Sequence, residues 1–238
     1  MTSDTRDELL RGVRAAVPIA IGYVPIAIAF GILARQAGLR AGEALGMSAI
    51  VYAGASQFAS LSLIAGSSSP LAIALATLVL NFRHFLMSAS LVQRLPPRTP
   101  AALGLGVTDE TFVVAMAEER LTLTFFLGLI VPVYLSWSTG TIIGAVFSTF
   151  IPQVVARGMS VGLYAMFVAI LVPGARKSWI VLLVAALGGL LTWGLALLIP
   201  SLPYGWRIVI AILAASAVGA AVQKPDDSEG KPSEGAAA

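Results

Sequence analysis

The stretch TLVLNFRHFLMSAS, Thr77 to Ser90, sets the terms for the whole chain. Residues on either side of Asn81, Arg83 and His84 are apolar enough for the interior of a lipid bilayer. Yet the stretch carries an amide, a guanidinium and the only histidine of the sequence. From Arg83 to the end of the apolar run near Leu91 is roughly 12 Å of helix. A central arginine costs about 2.5–3.5 kcal/mol on insertion scales, so such a residue faces a bundle interior or a wet cavity. His84 ionises near neutrality when unperturbed, which suits it to carry a coupling proton.

The rest of the chain agrees with a bilayer setting. Of 238 residues 58% are hydrophobic and 11% charged, with mean hydropathy +0.89. Soluble domains keep about a quarter of their residues charged. The apolar residues fall in blocks near the roughly 20 residues a helix needs to cross about 30 Å of hydrocarbon. Seven spans are predicted, at 15–34, 44–65, 70–92, 121–150, 158–173, 178–199 and 206–222. The fold class is therefore all-α, a polytopic integral membrane helical bundle. Cysteine is absent, which excludes disulfides, thiolate metal sites and cysteine nucleophiles. No metal or cofactor is expected. The net charge of +3 lies in loops and helix ends and bears on topology, not on nucleic acid.

The expected organisation follows the breaks. Residues 1–14 are a charged N-terminal segment, and no secretory signal stands apart from the first span. Residues 15–92 form a first three-helix repeat. Residues 93–120, opened by QRLPPRTP, are a linker with a re-entrant or half-helix element. Residues 121–199 form a second repeat, 206–222 a last transmembrane helix, and 223–238 a polar disordered tail. ALGMSAIVYA (44–53) matches ARGMSVGLYA (156–165) at six of ten positions, and Val17 onward sits opposite Val131 onward. Three helices per unit, joined on one side, imply inverted copies, a common transporter design. On seven crossings Arg35, Arg40, Arg94, Arg98, Arg120, Arg176, Lys177, Lys224 and Lys231 share one face, and Arg6, Arg11, Arg14, Arg157 and Arg207 the other. The positive-inside rule then puts the C-terminus in the cytoplasm and the N-terminus outside.

Several further groups are candidates for the site. In GLGVTDETFVVAMAEER (104–120), Asp109 and Glu110 are carboxylates set among apolar and glycine residues. Thr108 reads as an N-cap with two acids in the first turn, where the helix dipole favours negative charge. They are also expected to pair with Arg83 or to take up protons. Gln57, in YAGASQFASLSL (52–63), needs a hydrogen-bond partner at mid-span, while the small residues around it allow close helix packing. Pro18, Gly22 and Pro25 are expected to interrupt the first span. Pro132 with Ser136, Trp137 and Ser138 does the same in its counterpart, and paired interrupted helices point to a binding site. Gln57, Asn81, Arg83, Pro25 and Trp137 are thus candidates for substrate binding, and His84, Asp109 and Glu110 for proton coupling. His84 and Ser88, one helical turn apart, also admit an intramembrane hydrolase, though no oxyanion motif surrounds them.

Read in series, Gly31, YAGASQF (52–58), LNFRHFLMSASL (80–91), TDETF (108–112), WSTGTIIGAV (137–146) and AMFVAILVP (165–173) resemble the AzlC family, the large subunit of two-component branched-chain amino acid exporters. The resemblance spans about residues 15–175. It implies a permease exporting small hydrophobic amino acids across the cytoplasmic membrane of a prokaryote, driven by protons, with a small AzlD-type membrane subunit as partner. A subunit with an assembly role and no transport path of its own is the competing reading.

Overall fold

The computed structural model is all-helical: 82% of it is helix, and no strand occurs among the described residues. Described are residues 3–96, 99–152, 171–176, 178–202 and 204–222, with isolated positions between 154 and 168. The elements are α1 (Ser3–Gln36), α2 (Ala41–Ile50), α3 (Gly54–Ala65), α4 (Pro70–Val92), a 3-10 segment (Ala101–Gly106), α5 (Asp109–Ala117), α6 (Leu123–Val146), α7 (Trp179–Leu198) and α8 (Tyr204–Val222). Two compact units divide the chain, 1–168 and 169–238.

The first unit is built on α1 and α6. Their glycines face each other's backbone. A Cβ on Gly12 would collide with the backbone of Phe125 and Gly128, and one on Gly31 with that of Thr141 and Gly144. Small residues let the two helices touch main chain to main chain, the usual device where lipid removes the hydrophobic drive for helices to associate. Early residues of α1 meet early residues of α6, and late meet late, so the pair runs parallel.

Each half-length helix is one arm of a hairpin that enters from one end of this scaffold. Ala41 and Ala44 at the start of α2 pack with Ala34 and Ala145, at the C-terminal end of α1. From there α2 runs inward until Tyr134 donates from its hydroxyl to the Ala49 carbonyl at 2.8 Å. The chain turns at Tyr52, whose φ of 42° is left-handed. It then returns along α3 to Leu61, back in the same cluster as Ala145. At its outer end α2 is fastened by Arg40, whose backbone N–H donates to Glu43 at 2.7 Å and whose guanidinium also holds it at 2.8 Å. Those bonds, the backbone one first, hold the Glu43 carboxyl below its usual range.

A second hairpin enters from the opposite end. α4 runs back to the N-terminal end of α1, where Arg94 donates to the Met116 carbonyl at 2.7 Å. The 3-10 segment leads inward, Thr108 caps α5 by accepting from the Thr111 N–H at 3.3 Å, and α5 returns outward. Its C-cap Glu118 pairs there with Arg11 at 2.6 Å. α2, α3 and α5 have 10, 12 and 9 residues. At 1.5 Å per residue each covers about half of a bilayer's hydrocarbon.

Several sequence expectations change accordingly. α1 runs unbroken through Pro18 and Pro25, and α6 through Pro132. The breaks fall instead at residues 51–53 and 107–108. Segment 44–65 is a hairpin, not one crossing. Four helices among the described residues, α1, α4, α6 and α7, are long and apolar enough to span a membrane, against the seven expected. Losing one crossing changes the side expected for the segment after α4: Arg94 and Arg120 lie with Arg11, not with Arg35 and Arg40. Inversion of 121–199 on 15–92 would make α1 and α6 antiparallel, which they are not. In the first unit α1–α2–α3 and α4–(3-10)–α5 are each a long helix followed by a hairpin that re-enters from the end just reached. Most of 158–173, most of the 156–165 match, and the tail 223–238 lie outside the described residues.

In the second unit α7 and α8 form an antiparallel pair. Gly219 packs on Val184, and Gly188 on Ala215. Arg207 donates to the Leu202 and Pro200 carbonyls at 2.7 Å, satisfying the loop between them.

The hairpin reading is testable because the chain has no native cysteine. Single variants G42C and S67C should react with an impermeant maleimide from the same side of the membrane, and E119C from the other. Labelling of G42C and S67C from opposite sides would restore a crossing at 44–65.

Candidate functional site

Both breaks meet near the middle of the α1–α6 pair. Around a narrow cavity lie Tyr23 from α1, the Tyr52–Ala55 turn, Arg83 and His84 from α4, Thr108, Asp109 and Glu110 from the start of α5, and Trp137 from α6. The cavity has room for little more than a water molecule. The N-termini of α3 and α5 both begin at it, so the positive ends of two half-helix dipoles converge there.

α4 supplies the cation. Phe82, Phe85 and Leu86 are exposed, as suits a lipid-facing surface. Arg83 and His84 lie on the opposite, half-buried side. Arg83 Nη2 contacts Asp109 Oδ2 at 3.0 Å. That ion pair answers the cost of an arginine in the middle of an apolar helix, since a charge taken out of water requires a partner.

α5 supplies the anions. Its first turn is fixed by a capping box in which the Thr108 N–H donates to Thr111 Oγ1 at 2.8 Å, and that hydroxyl donates to the Gly106 carbonyl at 3.0 Å. With the turn fixed, Asp109 reaches Arg83 and Glu110 reaches Tyr23. The Tyr23 hydroxyl donates to Glu110 Oε2 and lies 3.0 Å from Thr108 Oγ1. The other carboxylate oxygen, Glu110 Oε1, is buried with no hydrogen-bond partner among the described residues. The same is true of the Tyr52 hydroxyl, on a residue only 3% exposed.

Beside the cavity a buried polar chain holds the α2–α3 turn. Gln57 Oε1 accepts from Trp137 Nε1 at 3.1 Å and from the Ala53 N–H at 3.2 Å. Gln57 Nε2 donates to Ser48 Oγ at 3.0 Å, and Ser48 in turn bonds Thr141 at 2.7 Å. Trp137 stacks edge-on to Tyr23 with ring centroids 5.2 Å apart, which braces both against the cavity wall.

Of the residues singled out from sequence, Arg83, His84, Asp109, Glu110 and Trp137 are brought to one cavity. Gln57 lies next to it, with its carbonyl oxygen committed to two internal donors. Asn81 and Pro25 are not among the residues lining it, and Asn81 Oδ1 is buried elsewhere on α4 with no hydrogen-bond partner among the described residues. Tyr23 and Tyr52 were not singled out. Their signals were faint: a tyrosine beside Gly22 in an apolar span, and a tyrosine two residues before Gly54. Among the described residues no group of three or more acidic or histidine side chains is placed to hold a metal.

These features define a polytopic helical membrane protein whose helix breaks and charges converge inside the bundle. The family described as AzlC protein matches residues 18–151, and the chain belongs to it. Inner membrane protein YgaZ of Escherichia coli is 32% identical over 76% of this chain and 79% of its own length. An uncharacterized membrane protein of Archaeoglobus fulgidus is 34% identical over 70% and 75%. The branched-chain amino acid transport protein AzlC of Bacillus subtilis is 26% identical over 68% and 65%. No solved structure matches.

The Gln57 chain predicts a stability effect. Gln57→Leu removes both acceptor bonds and the bond to Ser48, leaving buried donors unpaired at about 1–3 kcal/mol each. The thermal unfolding midpoint of the purified variant should fall clearly, and an unchanged midpoint would show that the network does not hold the turn.

Proposed function

We propose that this chain is a secondary-transport permease that exports branched-chain or other hydrophobic amino acids across the cytoplasmic membrane of a prokaryote, coupled to protons and working with a small AzlD-type membrane subunit. Family membership supports a role in membrane transport. The observation that carries the finer reading is the meeting of two half-helix N-termini with Arg83, Asp109 and Glu110 around one cavity. Broken helices whose N-termini face a shared point are how several transporter folds hold an anionic substrate group near the membrane midplane. An amino acid carries one carboxylate and one ammonium, and the cavity offers Arg83 for the first and carboxylates for the second. Its walls at Ala53, Gly54, Ala55 and Trp137 are apolar, as an aliphatic side chain requires.

The cavity is too small for leucine, so transport in this reading requires one hairpin to move away from the other. Each opens toward a different end of the α1–α6 pair, which gives the two sides of the membrane separate entrances. Arg6, Arg11, Arg14, Arg94 and Arg120 gather at one end of the first unit, and Arg35 and Arg40 at the other. The positive-inside rule assigns the richer end, with the N-terminus, to the cytoplasm. His84, Asp109 and Glu110 are the groups able to take the coupling proton.

The test is flux of labelled leucine into proteoliposomes that contain this chain and its small partner, with an imposed pH gradient. Uptake driven by the gradient, and abolished by Arg83→Ala in a variant that still inserts, is the expected result. Normal flux through R83A would remove the site, and flux indifferent to the gradient would remove proton coupling while leaving transport in place.

A further inference from the structure

The charged cavity has a larger neighbour. Between α4 and the 3-10 segment lies a groove of about 460 Å³, against about 20 Å³ in the cavity itself. His84 and Ser88, one helical turn apart, line it from α4; Gly104 and Val107 line it from the other side, together with the buried Phe126 of α6. His84 also lines the cavity.

The two spaces form one cleft with His84 at the junction. On α4, Arg83 belongs to the cavity and Ser88 to the groove. Across from it, Val107 belongs to the groove and Thr108 to Glu110 to the cavity, so the boundary falls between consecutive residues. Chemistry changes at the same boundary. The cavity has Arg83, Asp109 and Glu110, whereas no Asp, Glu, Lys or Arg is among the described residues that line the groove.

A hydrophobic amino acid is divided in the same way, into a charged head and an apolar tail. Resting on the permease reading of this site, we infer that the substrate lies along the cleft. Its carboxylate and ammonium sit among the charges of the cavity, and its aliphatic side chain sits in the groove between Ser88 and Gly104. The opposite side of the cavity is closed to that side chain. There the α2–α3 turn is fastened by Gln57 to Trp137 at 3.1 Å and to Ser48 at 3.0 Å, and all three are buried. The groove, by contrast, falls within the roughly 300–1,000 Å³ of small-ligand sites. Its width depends on position 104, where a Cβ would come 3.3 Å from Ser88 Oγ, so a side chain there enters the space between the walls. Ser88 and Gly104 are therefore specificity-determining positions. The rim at Phe85 and Val92 is exposed, which makes a lipid acyl chain the competing occupant. An acyl chain alone gives no reason for the groove to run into a charged cavity.

The test is flux into proteoliposomes that contain this chain and its small partner, with half-saturation measured for labelled leucine and labelled alanine. Each methylene buried is worth about fourfold in affinity, so wild type should prefer leucine at least about tenfold. Ser88→Leu and Gly104→Val each fill the groove from one wall, and each should lower that preference about tenfold. The ratio is the readout because damage to the cavity or to folding weakens both amino acids alike. A leucine preference that survives both variants, or wild type carrying the two amino acids equally, overturns the inference and leaves the permease reading standing. Loss of both fluxes in both variants also counts against the inference. No flux of either amino acid through wild type overturns the permease reading and the inference together.

Discussion

A helix that stops halfway through an apolar bundle leaves backbone N–H and C=O groups that water cannot reach. Each such group costs several kcal/mol in hydrocarbon unless the protein satisfies it. This chain stops two helices there, and much of what surrounds the cavity answers that constraint. Thr108 and Thr111 satisfy the start of α5. Gln57 takes the Ala53 N–H ahead of α3, and Tyr134 takes the Ala49 carbonyl at the end of α2. The Tyr52 hydroxyl and Glu110 Oε1, unpartnered among the described residues, belong to residues that line the cavity. The polar residues of the site are thus partly the cost of breaking the chain and partly what the break makes available.

The scaffold that permits the breaks is rigid for a simple reason. α1 and α6 meet through glycines at both ends of their contact, Gly12 on Gly128 and Gly31 on Gly144, with Gly140 against Ala27 between them. Backbones this close leave no side chains to rearrange. The half-helices are short and could not stand alone, since isolated helices below about 12–15 residues are marginal. They are held because a fixed pair of long helices offers them a surface on which Tyr23 and Trp137 are already in place.

Much of the site could be read from sequence, and the reasons it could are specific. Arg83 in the middle of an apolar run has no inexpensive explanation, so it had to face inward. Thr108 followed by two acids is a helix start, and a helix starting among glycine and apolar residues is half-length. The break at residues 51–53 was hidden. No proline marks it, and ALGMSAIVYAGASQF carries no charge and is mostly apolar, so hydropathy joins α2 and α3 into one span. The prolines misled in the other direction. In long membrane helices neighbouring groups can satisfy the carbonyls a proline frees, and α1 and α6 continue through theirs. One missed hairpin then reversed the side assigned to Arg94 and Arg120.

The two hairpins enter from opposite ends and are not fastened alike. The α2–α3 turn is tied to α6 through Gln57, Ser48, Thr141 and Trp137, all buried, in bonds that water cannot replace. The α5 hairpin is held at its outer end by Arg11 and Arg94, on groups that water reaches. Exposed ion pairs contribute about 0–1 kcal/mol, whereas unpairing a buried donor costs about 1–3 kcal/mol. At the inner end the α5 hairpin holds through Asp109 on Arg83 and Glu110 on Tyr23, bonds that involve the cavity's own charges. A change of charge in the cavity therefore acts first on the α5 hairpin, because its attachments are charged and the other hairpin's are not.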